Sequence, residues 1–162
     1  MSPTTVAIGA DHGGFALKTQ LRRWLEERGC VVADLGTHSA APCDYPLIGY
    51  RVASAVAAGR FDRGVLLCKS GVGIAIAANK VPGIRAAVCS DVAGAVHSRQ
   101  HNDANVLVLG AARISPARAC AVLQAWLTAA FEGGRHLRRV RQIAAIERRI
   151  LRETSTTRRR HG

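Results

Sequence analysis

The residues Val65-Leu-Leu-Cys68-Lys-Ser-Gly-Val-Gly73 form an apolar run followed at once by a glycine-containing loop, and this pattern indicates the fold class. Four consecutive apolar residues predict a strand buried on both faces, and the alanine-rich residues 74–80 predict a helix. Glycines allow the tight turn between them, and successive N–H groups at a helix N-terminus would attract an anion. A purely structural turn would have the same composition, so the loop alone leaves both interpretations open.

The same alternation of short β-branched runs and segments of helical period extends in both directions along the chain. It is typical of a parallel sheet whose strands are joined by crossover helices. We therefore predict an α/β protein: a single-domain, Rossmann-like three-layer sandwich with a five-stranded parallel sheet and a C-terminal helix over about 135–152. The other expected strands are 5–9, 31–35, 84–89 and 105–109. Ligands of such folds bind at the carboxyl ends of the strands.

Length and composition limit the class of protein. The chain has 162 residues, enough for one core, and 48% of them are apolar, which argues against disorder along the whole chain. We expect a domain over residues 1–153 and a basic, flexible tail over 154–162. No run approaches the roughly 20 apolar residues of a membrane span, so no membrane partner is expected. Of the net charge of +12, residues 134–162 contribute +8, nearly all from arginine.

The cysteines and the N-terminal residues bear on the compartment. Five cysteines are an odd number, and none forms a C-x-x-C pair typical of zinc or redox sites. The first residues lead directly into an apolar run without the basic stretch that opens a secretory signal. These features favour free thiols, no resident metal and a cytoplasmic location.

Four groups of residues are candidates for chemistry. Cys68 ends the buried strand, where its thiol would act as a base or nucleophile, although a structural cysteine is equally compatible with the pattern. The pair Asp11-His12 and the run 101–103 (His-Asn-Asp) bring polar side chains beside apolar strands, as either acid–base groups or caps. Arg135 and Arg139, four residues apart, would share a helix face and hold a phosphate; a solvated basic face is the alternative.

Taken together, these residues resemble the type B ribose-5-phosphate isomerase family, which includes the galactose-6-phosphate isomerase subunits. The resemblance spans residues 6–149 and is carried by several motifs in the family's order. These are Gly-Ala-Asp-His-Gly-Gly at 9–14, Asp44-Tyr45-Pro46, the run 68–80, Gly83-Ile-Arg-Ala86, Ser98-Arg-Gln-His-Asn-Asp103 and Glu132-Gly-Gly-Arg-His136.

This resemblance implies an aldose–ketose isomerase without metal or cofactor, working as a homodimer, or as a dimer of dimers, with active sites at the subunit interface. The expected reaction interconverts ribose 5-phosphate and ribulose 5-phosphate through an enediolate. By position, Cys68 resembles the catalytic base, His101 the group that assists ring opening, and Ser70 part of the loop that holds the enediolate. The implied substrate-binding residues are Asp11, His12, Tyr45, Lys69, Ser70, Gly71, Val72, Gly73, Asn102, Arg135 and Arg139.

The sequence departs from the family's usual pattern at a few positions. Lys69 stands where glycine is usual, and Ser70 replaces threonine but keeps the hydroxyl. Ala112 occupies a position at which many members carry arginine, with Arg113 one residue later. Ile74 stands where one branch has a glutamate base, so that branch is not indicated. Lys69 adds a cation beside the expected base and would change the choice of substrate.

Three alternatives remain at this point. A four- or six-carbon sugar phosphate would suit the same chemistry. A nucleic-acid-binding protein would use the basic tail, but the chain offers few aromatic side chains for stacking, so a nucleic-acid partner is not expected. A nucleotide-binding regulatory domain would rest on the glycine-containing loop alone.

Overall fold

The structure is a computed structural model that describes residues 3–160, with side chains described as far as residue 155. Its strands are β1 (Thr5–Ala10), β2 (Val31–Asp34), β3 (Arg63–Cys68), β4 (Ala86–Val88) and β5 (Val106–Gly110). Its helices are α1 (Phe15–Glu26), α2 (Tyr45–Ala57), α3 (Val72–Ala78), α4 (Val92–Asn102), α5 (Pro116–Thr128) and α6 (Gly134–Arg160). All strand pairs are parallel, in the order β2-β1-β3-β5-β4, which confirms the predicted sheet.

Strand β3 shows how the core is built. Its alternate side chains enter two separate apolar clusters, because successive residues of a strand point to opposite faces. Val65 and Leu67 pack in the cluster formed with α1 and α5, around the fully buried Trp126. Leu66 and Cys68 pack in the cluster formed with α2 and α3. The uninterrupted apolar run is therefore explained by burial on both faces, and the three layers are confirmed.

The C-terminal helix is longer than expected. The sequence predicts an end near Arg152, whereas α6 continues to Arg160. Residues 153–157 contain neither glycine nor proline, so no residue there interrupts the helix. The expected boundary at residue 153 therefore lies inside a helix, and the flexibility of 154–162 stays a prediction, with residues 161–162 outside the described part of the chain.

A buried ion pair positions the loop that follows β2. Lys18 is fully buried in α1, and its ammonium nitrogen lies 2.6 Å from both carboxylate oxygens of Asp34. It also donates to the carbonyl of Thr37. Burial alone would raise the pKa of Asp34, but hydrogen bonds from Lys18 and Gly36 outweigh it and hold the pKa below its usual value. Since Ala10 exchanges backbone hydrogen bonds with this loop, the pair supports the end of β1.

Between residues 3 and 160, no helix is both long enough and apolar enough to cross a membrane.

Candidate functional site

The loop after β3 forms the first half of the candidate site. Cys68 is buried at the strand end, and the N–H of Gly71 donates to its sulfur over 3.1 Å. The N–H of Val72 donates to Ser70 Oγ over 3.3 Å. The first-turn N–H groups of α3 have no acceptor within the helix itself and face the same loop. The thiol and the hydroxyl thus accept backbone N–H groups of the loop, and anion binding by this loop stays a prediction.

Two glycines give the loop its shape. Gly71 has a φ of +82°, in the left-handed region that suits glycine, and it caps the N-terminus of α3. Gly110, at the end of β5, lies so close that an added Cβ would be 2.5 Å from the carbonyl oxygen of Ser70. The carbonyls of Cys68 and Lys69 accept hydrogen bonds from the residues that follow Gly110. The loop after β3 is therefore held by the end of β5 and the two residues that follow it.

Asp11 and His12 lie beside this loop. Asp11 is buried, and its Oδ1 accepts the N–H of Gly14 over 3.1 Å at the start of α1. An added Cβ at Gly13 would lie 3.2 Å from the Cβ of Lys69, so the two loops touch. His12 is exposed, and its Nδ1 accepts the N–H of Cys43 over 3.2 Å, which leaves Nε2 directed away from that contact.

Tyr45 and Lys69 complete the first half. The Tyr45 phenol lies against Gly73, where an added Cβ would be 2.7 Å from the phenol oxygen, so glycine leaves the room for that ring. Lys69 is exposed, and no carboxylate of the described residues pairs with its ammonium group. We call Asp11, His12, Tyr45 and residues 68–73 the strand-end group.

A second group lies where α4 ends and α6 begins. The rings of His101 and His136 stack with centroids 4.1 Å apart and planes 5° apart, and His97 stacks on His101 at 5.0 Å. Glu132 Oε2 lies 3.9 Å from His101 Nε2 and 3.6 Å from His136 Nε2. Together with Asn102, Arg135 and Arg139, which neighbour these residues in sequence, we call them the helix-end group.

The helix-end group contains three side chains of the types that ligate metals. One donor atom each of His101, Glu132 and His136 lies within 4.8 Å of the others. A metal ion binds in the plane of an imidazole, on the nitrogen lone pair. Because the two rings are stacked 4.1 Å apart with planes only 5° apart, no point close to both rings lies in both planes. The arrangement is therefore that of stacked rings and does not fit a metal held by both histidines.

The fold separates the two groups within one chain. Cys68 pairs with Gly110 at the carboxyl ends of the strands, whereas Gly64 pairs with Val106 at the amino ends. Four strand residues correspond to about 13 Å. The backbone carbonyl of Asn102 accepts from Arg85, just before β4, so Asn102 and His101 lie at the amino edge. The family resemblance implies that Asn102 and the Ser70–Gly73 loop bind the same substrate, but one chain alone does not bring them together.

The sequence interpretation missed two members of the helix-end group, Glu132 and His97. A signal was present, since His97 and His101 are four residues apart and so are Glu132 and His136. Arg135 and Arg139, both exposed near the N-terminus of α6, occupy the same side of the molecule as these histidines.

The parallel α/β sheet has a thiol, a glycine loop and N–H donors at one edge, and paired histidines and arginines at the other. This combination is typical of an enzyme that acts on small anionic metabolites. The family model described as Ribose/Galactose Isomerase matches residues 6–143. The chain belongs to this family.

Individual relatives agree with that assignment. "Ribose-5-phosphate isomerase B" of Escherichia coli is 51% identical over 144 residues, which cover 89% of this chain and 97% of the relative. A solved ribose-5-phosphate isomerase B of Clostridium thermocellum is 48% identical, with a TM-score of 0.90, and the match covers 91% of this chain and 99% of that one. The enzyme of Mycoplasma genitalium, solved with bound ribulose-5-phosphate, is 36% identical, with a TM-score of 0.88 and the same coverage.

Proposed function

We propose that this protein interconverts ribose 5-phosphate and ribulose 5-phosphate by proton transfer through an enediolate. The observation that carries the proposal is the buried Cys68 at the end of β3, with a backbone N–H on its sulfur and the glycine loop beside it. Relatives that match along nearly their full length carry the name of this activity.

Cys68 acts as the base in this scheme. It takes a proton from the carbon next to the carbonyl and returns it to the neighbouring carbon, so that C1 and C2 exchange oxidation states without an external oxidant. The enediolate oxygens carry the charge that develops. N–H groups at the start of α3 stabilise it, and one such donor contributes about 3 kcal/mol in comparable sites. Ser70 supplies a hydroxyl at the same place.

The remaining residues bind the sugar and open its ring. His101 moves the protons of ring opening, since an imidazole titrates near neutrality. Asp11 and His12 contact the hydroxyl groups, and the phenol of Tyr45 lines the site. Arg135 and Arg139 hold the phosphate, which contributes binding energy away from the reacting carbons.

These roles require a homodimer, because one chain leaves the strand-end and helix-end groups at opposite edges of the sheet. A surface suited to a second copy connects them. Val72, Ile76 and Val88 are 56%, 57% and 49% exposed around α3 and the edge strand β4. They line a groove of about 380 Å³, which shares Asn79 and Ala86 with a neighbouring groove of about 440 Å³.

The second groove reaches Asn102 and the exposed apolar side chains of α6, such as Ile146. The apolar surface thus begins at Val72 within the strand-end group and ends at the helix-end group. In a twofold dimer the same patch contacts itself in reverse, so each strand-end group faces the partner's helix-end group. Each dimer then contains two composite sites.

The compartment we propose is the cytoplasm. All five cysteines are unpaired, and two of them, Cys68 and Cys89, are buried thiols. Free thiols persist in a reducing compartment.

Solvent-proton exchange tests the reaction and the base together. The wild-type protein should convert ribose 5-phosphate and exchange the transferred proton with deuterated solvent. Cys68→Ala should lose both by about 10³-fold, since a positioned base contributes roughly 10²- to 10⁴-fold. The matched control is Cys89→Ala, which removes an equally buried thiol outside the site. Undiminished exchange in Cys68→Ala would exclude the role assigned to the thiol.

A second candidate substrate is a tetrose or hexose phosphate, and Lys69 is the observation that favours it. Its side chain starts against the loop at Gly13, it follows Cys68 directly in sequence, and no carboxylate of the described residues pairs with its ammonium group. A parallel assay of four-, five- and six-carbon phosphates with wild type and Lys69→Gly decides the matter. The highest kcat/KM on the pentose identifies the proposed reaction, and a higher value on another sugar identifies the alternative.

A further inference from the structure

Three histidine rings are stacked in a row, and the proposed reaction does not by itself require this arrangement. His97 is exposed, His101 is half-buried and His136 is buried, so the stack runs from solvent into the protein. The two closer rings belong to different elements, His101 to α4 and His136 to the first turn of α6. The backbone N–H of Glu132 donates to the carbonyl of Gln100, which ties the segment before α6 to α4.

The surroundings of His136 disfavour its protonated form. The Nε–H of Arg135 donates to His136 Nε2 over 3.4 Å, so this nitrogen acts as an acceptor. Burial lowers the pKa of His136, and the nearby charges of His101 and Arg135 lower it further, against the opposing effect of Glu132. Arg139, on the same helix, acts in the same direction as Arg135.

The buried His136 ring restricts the half-buried His101 ring that stacks on it. Stacked aromatic rings with centroids 4.1 Å apart restrict each other's rotation, and the contact is favourable beyond the burial of apolar area. His97 covers the opposite side of His101 more loosely, at 5.0 Å. The plane of His101 is therefore determined chiefly by His136.

We propose that His136 is a positioning residue, whose ring fixes the plane of His101 for the ring-opening step and connects that plane to Arg135. The inference rests on the proposed function, because it concerns the step assigned to His101. In that step the C1–O4 bond of the furanose breaks, O4 gains a proton, and the C1 hydroxyl loses one to give the aldehyde. His101 serves these transfers only if its nitrogen points at the sugar oxygen.

Two reactions of the same active site separate ring opening from the later proton transfer. Ribose 5-phosphate is cyclic in solution and must be opened before it isomerises. Ribulose 5-phosphate is already open, because phosphate occupies the oxygen that would close a furanose ring, and its C1 proton exchanges with solvent without ring opening. A positioning role therefore affects the first reaction and spares the second.

The experiment compares His136→Ala, His136→Phe and His97→Ala with wild type. We expect His136→Ala to lower kcat on ribose 5-phosphate by roughly 10- to 100-fold, the cost of a misplaced group, with exchange of ribulose 5-phosphate within about 2-fold of wild type. His136→Phe keeps a flat ring and should restore most of kcat. His97→Ala, which removes the looser and exposed neighbour, should lower kcat less than His136→Ala does.

Other outcomes overturn the inference. Equal losses in both reactions indicate a structural or general binding role for His136, and a Phe variant as slow as the Ala variant excludes stacking as the cause. An unchanged kcat in His136→Ala excludes a positioning role for His136.

A readout independent of turnover separates this inference from the proposed function. In NMR spectra, the ring protons of His101 should be shifted upfield by the His136 ring in wild type and in His136→Phe, but not in His136→Ala. If the wild type does not isomerise ribose 5-phosphate, the proposed function fails. An identical His101 spectrum in all three proteins shows, by contrast, that the positioning contact itself is absent.

Discussion

The strand-end and helix-end groups are built in opposite ways. In the strand-end group, buried strands and backbone N–H groups determine the geometry, and a buried cysteine carries the reactive atom. In the helix-end group, side chains from two helices position each other by stacking, and most members of the group are exposed. The first group is rigid before any ligand binds, whereas the second depends on contacts between its own side chains.

This difference matches the two tasks that we propose for the groups. A carbon acid loses its proton only if the oxyanion is stabilised at a defined point, which rigid backbone donors provide. Ring opening and phosphate binding tolerate longer side chains, which reach a ligand from outside. The exposed helix-end group is therefore suited to serve a site on another copy of the chain.

The largest effect is expected when the two groups are broken in separate chains. Cys68→Ala and His101→Ala should each be nearly inactive alone. When they are mixed by unfolding and refolding or by co-expression, half of the dimers are mixed, and each has one intact site of two. Activity should therefore return to about a quarter of wild type. Mixtures that stay inactive would place both groups in one chain's site.

Crowding the strand-end loop should give the next largest effect. In Gly110→Ala the new Cβ would lie 2.5 Å from the carbonyl oxygen of Ser70, so the loop backbone must move. We expect kcat to fall by roughly 10- to 100-fold and stability by about 1–3 kcal/mol. Denaturant unfolding and steady-state assays measure both. The control Gly94→Ala has only Asp91 Oδ1 nearby, at 3.5 Å, and should be neutral. A fully active Gly110→Ala variant would contradict the rigidity ascribed to this group.

Removing the buried lysine tests how the strand-end group is supported. Lys18→Met leaves Asp34 without its main partner, and losing one member of a buried pair costs about 3–5 kcal/mol. The lower end is expected, because Gly36 and Arg22 still face the carboxylate. Urea unfolding measures the loss, and Lys80→Met at an exposed position is the control. Equal stability of the two variants would show that the pair contributes little.

The smallest effect concerns pH and the helix-end group. His136 has a lowered pKa in the folded protein, so the unfolded chain binds its proton first as the pH falls below about 6.5. His136 makes its full contribution to stability above about pH 6.5. This contribution is lost as the pH falls from about 6.5 through the pKa of His136 in the folded protein. The melting temperature of wild type should therefore decline more between pH 7.5 and 5.5 than that of His136→Gln. Asp34, with a pKa lowered from 3.8, acts only below this range. Parallel declines in the two proteins would contradict the prediction.

Much of the fold was predictable because strands buried on both faces have an unmistakable pattern. The run 65–68 and the glycine loop identified the central strand and the position of Cys68. Helix ends were less predictable, and α6 continues past Arg152 because no residue there interrupts it. Glu132 and His97 were missed because their importance lies in a contact between two helices, although each stands four residues from a histidine that was identified.

The parallel α/β sheet, the loop after β3 and the residue types of both groups could be predicted from the amino-acid sequence. Periodicity, glycine placement and local spacing are properties of neighbouring residues. The positions of the strand-end and helix-end groups at opposite edges of the sheet, and the stacking of His136 on His101, became visible only in the folded chain. A crossover helix returns the chain to the other edge, so residues with related chemistry are separated or joined by packing that no local pattern records.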